Sequence, residues 1–255
     1  MRFLTAAETR TGRRKKGNQD AALVMQGERP GETVLAAVVC DGMGGLERGE
    51  AASAAMVRLI EDWFRNRLPA LSSGAPQGEL WREEWTRLAD RANLLISRYG
   101  RGEGIRLGTT CALLFIRGSR FLIMNVGDSR VYRIRADIRQ ITRDHTYVQR
   151  EVDLGRMTPD EAENDGRRSI LLQCIGSGGP VRPDFFSGGI SPGEVFLICS
   201  DGFRNRLRER ELCQALRPED MISKAAMGER IGRLIDLGVR RGEADDMSAV
   251  LVKTL

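Results

Sequence analysis

Aspartates recur in this sequence where apolar runs meet polar residues. Asp41 follows "VLAAVVC", Asp128 follows "FLIMNVG" and Asp201 follows "VFLICS"; Asp245 and Asp246 stand just before "MSAVLV", and Asp20 stands just before "AALVM". One such residue is an ordinary strand stop. Repeated at the mouths of adjacent strands, the carboxylates would converge, and unpaired anions side by side repel and resist desolvation unless cations sit among them. Carboxylate oxygens, water and backbone carbonyls are hard ligands, so the metals implied are magnesium or manganese rather than zinc or copper. A zinc site usually needs several His or Cys, and the chain holds one histidine, His145. In "DGMGG", Gly42 lets its own carbonyl approach a metal with no side chain in the way, and Gly44 and Gly45 permit a tight exit. Read alone, the same string is a strand-ending turn.

Other chemistries fit these residues less well. Cys111 and Arg117 have the Cys-x5-Arg spacing of cysteine phosphatases, but that chemistry needs a glycine-rich loop opening a helix, and Cys111 lies inside an apolar strand pattern. A Ser-His-Asp triad would have to use His145, and no Gly-x-Ser-x-Gly elbow or Walker A loop occurs. The cluster Arg13, Arg14, Lys15 and Lys16, just before Asn18-Gln19-Asp20, reads either as a phosphate-binding feature or as a solvated loop. Nucleic-acid binding is the poorer reading, because aromatic residues are 5% of the chain and none interleaves the cluster.

The elements that must position these residues are many short strands. β-type runs cover Arg2 to Thr9, Ala21 to Gln26, Val34 to Cys40, Thr110 to Ile116, Phe121 to Val126, Val131 to Ile134, Val195 to Ser200 and Ser248 to Val252. Hairpins at Gly118-Ser119 and near Ala136-Asp137 make consecutive strands antiparallel. Two amphipathic helices follow the third strand. One carries Met56, Leu59, Ile60 and Trp63; the other carries Trp81, Trp85, Leu88, Ala92 and Leu95, with Pro69 to Gly78 as the loop between them. A further helix carries Ile222, Ala226, Leu234, Ile235 and Val239 before the last strand. The polar segment from Thr146 to Arg168 predicts short surface helices, with a start at Thr158-Pro159-Asp160-Glu161. The fold class expected is α+β, two antiparallel sheets packed together with helices outside.

Composition fits a folded, unexported protein: 255 residues, 41% hydrophobic and 29% charged, with a formal charge of +5. Five cysteines, mostly within apolar runs, suit reduced, packed thiols in a cytoplasmic protein, so no disulfide is expected. The N-terminal residues have no apolar signal region, and no run approaches the ~18 apolar residues that cross a bilayer.

Taken in order, "GNQDA", "VVCDGMGG", "LGTTC", "NVGDSRVY", "ITRDHT", "LLQCIGS", "LICSDGF" and "ADDMSAVLV" resemble the metal-dependent protein phosphatases, the type 2C serine/threonine family, in its compact bacterial form. Each string is modest, but eight in family order over nearly the whole chain are specific. The resemblance implies a single domain over residues 1–255, an α-β-β-α sandwich, with a flap at about residues 146–168. It implies that Asp41 bridges two metals with the Gly42 carbonyl on one of them, that Asp201 and Asp245 complete the other shell, and that Asp20 holds metal-bound waters. Asp128 matches a carboxylate that in bacterial relatives helps bind a third, looser ion. Two or three Mg2+ or Mn2+ ions, a metal-activated water attacking phosphoserine or phosphothreonine, phosphoprotein substrates, a cognate kinase in signalling and a monomeric cytoplasmic protein follow as expectations.

The sequence departs from the family pattern at four places. Gln19 stands where an acidic residue is usual, Asp246 replaces an Asn, and Met43 occupies the position of a histidine in eukaryotic relatives, as is usual in bacterial members. Lys15 fills the place of the arginine that grips the substrate phosphate, and lysine binds as a point charge without the bidentate fork. Gln19 and Asp246 motivate an alternative, a non-catalytic pseudophosphatase that binds phosphoproteins or a partner kinase.

Overall fold

In chain order the first half contains β1 (Phe3–Arg10), β2 (Asp20–Arg29), β3 (Glu32–Met43), α1 (Gly49–Asp62), α2 (Glu79–Glu103), β4 (Gly108–Thr109), β5 (Cys111–Arg117) and β6 (Arg120–Val126). The second half contains β7 (Arg130–Ile134), β8 (Ile138–Gln140), α3 (Tyr147–Asp153), α4 (Pro159–Asn164) and β9 (Asp184–Gly189). It closes with β10 (Val195–Cys199), α5 (Asp201–Arg204), α6 (Glu209–Ala215), α7 (Lys224–Arg240) and β11 (Met247–Thr254). The structure is a computed structural model that describes the chain except residues 14, 30–31, 44–47 and 72–77 and the side chains of Arg29 and Glu32. The expectations for Arg14, for the Gly44-Gly45 exit and for most of the Pro69 to Gly78 loop lie outside the described residues.

The strands form two sheets in which every pairing is antiparallel. One runs β1-β11-β10-β7-β8; the other runs β2-β3-β5-β6-β9, with β4 pairing the end of β3. The uninterrupted apolar run of β3 follows from burial on both faces. Leu35, Ala37 and Val39 meet Phe196, Ile198, Val250 and Val252 of the other sheet, while Val34, Ala36, Val38 and Cys40 pack beneath Ala52, Met56 and Ile60 of α1. The second outer layer is built the same way: Leu197, Cys199 and Leu251 pack under Met227, Ile231, Leu234 and Ile235 of α7. These are the antiparallel sheets and flanking helices that the strand pattern predicts.

Where helices begin and which face they bury follows from local chemistry. In α2, Trp81, Trp85, Leu88, Ala92 and Ile96 form the buried stripe, and Trp63, Trp81 and Trp85 pack around Phe115 with ring centroids 5.0–5.8 Å apart. Leu95, expected on that stripe, is 46% exposed, because the fourfold step from Ala92 lands on Ile96. Ile222 also misses its expected place: α7 starts two residues later behind the Ser223 cap, and Ile222 is exposed. Thr158 and Glu161 close a reciprocal capping box at the start of α4, as the sequence predicts, and α3 occupies the first part of the expected flap segment. All five cysteines are free.

Candidate metal centre

The register of β2 on β3 sets Asp20 directly opposite Asp41. Strand β3 continues two residues past Asp41, so the aspartate that sequence places at a strand end is held within a ladder. Its carbonyl accepts from Thr110 N at 2.9 Å and Thr109 Oγ1 at 3.0 Å, and its N–H donates to Thr110 Oγ1 at 2.9 Å. Thr110 Oγ1 in turn lies 2.7 Å from Ser129 Oγ, and Thr109 exchanges backbone bonds with Ile175. Both threonines are buried, so the Asp41 backbone is pinned from three segments of the chain.

Around Asp41 the other acidic residues converge. Burial first, then the charges of Asp20, Asp201, Asp128 and Asp245, push the Asp41 carboxyl well above the usual range. Burial likewise lifts Asp20 to about 7 despite hydrogen bonds from Ser248 and Ser200, with the charges of Asp246 and Asp201 adding to the rise. Ser200 Oγ donates to Asp20 Oδ2 at 2.8 Å and tethers a residue of the β2–β3 sheet to the end of β10. The Oδ1 atoms of Asp20 and Asp201 are buried with no hydrogen-bond partner. An orphaned carboxylate oxygen facing other carboxylates is costly, and a hard divalent cation offsets both the repulsion and the missing partners. The donor set therefore fits magnesium or manganese. Among the described residues, no three acidic, histidine or cysteine side chains close into a finished ligand set by themselves, so the aspartates act on one another across a common space rather than in contact.

Glycines bring these carboxylates together by letting backbones meet. A Cβ on Gly42 would fall 2.2 Å from the Gly49 carbonyl oxygen and 2.4 Å from that of Gln19. Close packing of the end of β3 against the start of α1 thus requires glycine at 42, and the Gly42 carbonyl lies against Gly49. On the other sheet a Cβ on Gly202 would fall 2.2 Å from the Asp246 carbonyl oxygen, so glycine lets the first turn of α5 sit against the Asp245-Asp246 segment.

The four departures acquire structural places. Asp246 is 2% exposed, and its two carboxylate oxygens accept from Gly12 N and Gln19 N, each at 2.8 Å. It fastens the loop bearing Lys15 to the loop bearing Asp245, a use that needs two acceptors. Gln19 is buried; its carbonyl receives Gly42 N and Ser53 Oγ, and its side-chain oxygen accepts from Lys15 Nζ at 3.3 Å. Lys15 Nζ also bonds Asp245 Oδ1 at 2.9 Å, while Arg13 and Lys16 are exposed. Burial works to lower the Lys15 pKa, but the Asp245 hydrogen bond and the charges of Asp245, Asp246 and Asp41 hold it above the ordinary lysine value. Met43 closes β3 opposite Gly108.

Asp128 belongs to a buried charge network that the sequence did not reveal. Arg130 grips Asp144 through Nε and Nη2 at 2.8–3.1 Å, and Arg204 Nη2 lies 3.3 Å from Asp144 Oδ2 and 3.3 Å from the Asp128 carbonyl oxygen. Burial first, then Asp201, lifts the Asp128 carboxyl to about 7, with Arg204 pulling it down. His145 takes no part in the centre itself. Its Nδ1 receives Gly127 N at 3.2 Å and lies 2.6 Å from Gln173 Nε2, while Nε2 pairs with Asp184 at 3.1 Å, so the ring joins the Asp128 loop to the segment that leads into β9. The sequence strings contain Thr110, Ser129, Ser200 and Ser248 without marking them; Ser129 and Ser200 adjoin Asp128 and Asp201, and nothing local marks Thr110 or Ser248.

Two antiparallel sheets that carry five aspartates to one anionic space define a carboxylate-centred enzyme of the divalent-metal type. The family model described as Protein phosphatase 2C matches residues 9–255, and the chain belongs to this metal-dependent phosphatase family. The serine/threonine phosphatase stp of Listeria innocua is 31% identical over 252 residues, which are 97% of this chain and 95% of the relative. A solved S. agalactiae serine/threonine phosphatase superposes with a TM-score of 0.84 at 27% identity over 100% of both chains. The catalytic domain of serine threonine protein phosphatase PstP, solved with 2 manganese ions, gives a TM-score of 0.77 at 28% identity over 99% of this chain and 98% of that one. No helix among the described residues is long and apolar enough to cross a membrane.

Proposed function

We propose that the chain hydrolyses phosphoserine and phosphothreonine in proteins, with two or three Mg2+ or Mn2+ ions held by Asp20, Asp41, the Gly42 carbonyl, Asp128, Asp201 and Asp245. The observation that carries this reading is the convergence of aspartates from both sheets with orphaned oxygens on Asp20 and Asp201, in a chain of the phosphatase 2C family. When bound, the ions would make a water nucleophilic at neutral pH and offset charge on the phosphoryl oxygens. The chain's residues supply the rest. Thr109 and Thr110 fix the direction of Asp41, Ser200 fixes Asp20, and Lys15 stands beside Asp245 as the cation that binds the substrate phosphate.

The flap from residue 146 to 168 selects among protein substrates, and the protein works as a cytoplasmic monomer that reverses a cognate kinase. The non-catalytic alternative loses one of its grounds, since Asp246 has a bonding role that suits its carboxylate. The test is turnover of an aryl phosphate and a phosphothreonine peptide by purified protein with manganese. Turnover that Asp41→Asn and chelator both abolish is expected; phosphopeptide binding without release at any manganese concentration would overturn the reading.

A further inference from the structure

Arg204 belongs to the buried charge network around Asp128. It sits in the last position of α5, three residues after Asp201, and its side chain is 15% exposed. Its Nη2 lies 3.3 Å from Asp144 Oδ2, 3.3 Å from the Asp128 carbonyl oxygen and 4.0 Å from Asp128 Oδ2. Its Nε is buried with no partner. A guanidinium placed only for hydrogen bonding would not leave a buried donor unmet, because that costs about 1–3 kcal/mol. Asp144 does not need it: Arg130 already binds that carboxylate through Nε and Nη2. Arg130 is committed to Asp144, and Arg204 is the cation that lies between Asp144 and Asp128.

We propose that Arg204 is a built-in cation for Asp128 that weakens the binding of any divalent ion at that carboxylate. The inference rests on the metal-centred reading of the aspartates given under Proposed function. A fixed positive charge beside Asp128 repels an incoming divalent cation and removes the carboxylate's need for one. Among the described residues no arginine forms an ion pair with Asp20, Asp41 or Asp201, and the Oδ1 atoms of Asp20 and Asp201 keep no hydrogen-bond partner. Arg204 is then a positioning residue, setting ion count and the orientation of Asp128 rather than touching substrate.

The experiment counts bound Mn2+ by equilibrium dialysis and titration calorimetry on the purified full chain, for wild type, Arg204→Met, Arg204→Lys and Arg204→Met combined with Asp128→Asn. Wild type is expected to bind two ions tightly. Arg204→Met gains a third at a Kd about tenfold or more below the wild-type weak site, Arg204→Lys behaves as wild type, and Asp128→Asn removes the gain. An unchanged count and affinity in Arg204→Met, or an Arg204→Lys variant that matches Arg204→Met, overturns the proposal. Asp128→Asn alone tests the same idea should Arg204→Met not fold: both tight ions remain within about threefold of the wild-type Kd, and loss of one overturns it. If wild type binds no Mn2+ tightly, or Asp41→Asn leaves binding unchanged, it is the metal-centred reading that fails.

Discussion

Replacing Asp246 by asparagine restores the usual family residue, and it should weaken the protein rather than improve it. Both carboxylate oxygens of Asp246 accept backbone N–H groups at 2.8 Å in a pocket where the residue is 2% exposed. An asparagine offers one acceptor oxygen and turns an NH2 toward the second N–H, whichever way the amide is set. A hydrogen bond to a charged acceptor contributes about 1.5–3 kcal/mol, and a buried donor left unmet costs about 1–3 kcal/mol. One term opposes these. Asp246 raises the Asp20 carboxyl through its charge, so removing the charge relieves some repulsion, yet burial is the largest cause of that rise. The net expectation is a loss of about 2 kcal/mol, or about 4–8 °C in Tm for a chain of this size. Thermal melts of wild type and Asp246→Asn, with chelator and again with saturating manganese at one pH, measure it. A variant that melts at or above the wild-type temperature in both conditions would show that the two-acceptor clamp is not what holds Gly12 and Gln19 in place.

Three further outcomes follow from the centre. Lys15→Met removes the ammonium from Asp245 and should tighten Mn2+ binding by up to about fivefold, the range of a half-exposed ion pair, while raising KM for a phosphopeptide; weaker metal binding in calorimetry would contradict it. Thr110→Val deletes the acceptor of the Asp41 N–H and the partner of Ser129, and a loss of about 1–3 kcal/mol in urea unfolding together with weaker Mn2+ binding is expected. Asp20 and Asp128 have folded carboxyl pKa values of about 7, raised by burial above an unfolded value of about 4. Their contribution to stability is full below the unfolded value and is lost as pH rises to the folded one, so the stabilisation gained from manganese should grow between about pH 4 and pH 7 and level off above; melting curves with and without chelator that keep a constant gap across that window would refute it.

The aspartates were legible in the sequence because a strand buried on both faces must be apolar for its whole length, and a charged residue at its end then stands out. Asp41 beside "VLAAVVC" is the clearest case. What the sequence hid depends on contacts between distant segments. Strand β9 reads "DFFSGG", too short and too glycine-rich to announce itself, and it becomes a strand because β6 offers an edge in register from Asn125 to Arg120. Arg204 follows the "SDGF" string with no local sign of its role, since its partners Asp128 and Asp144 come from the far side of the chain. Asp246 looked like a defect when compared with the family pattern and became a fastening once its two donors were known. Leu95 shows the remaining weakness of periodicity, which places an apolar face within a residue or so but does not choose between neighbours.

The sheet order also says something about when this enzyme can exist. Asp20 and Asp41 stand on strands formed early in the chain, but Asp245 immediately precedes β11, and β11 pairs with β1 on one side and β10 on the other. The first strand therefore waits, edge unpaired, for nearly the whole chain to be made before its partner arrives, and such long-range closure is slow. Until that strand docks, Asp245 has no fixed place beside the other carboxylates. A chain in which β11 has not docked lacks one of the proposed metal ligands, so activity would report that the final hydrogen bonds of the fold have closed.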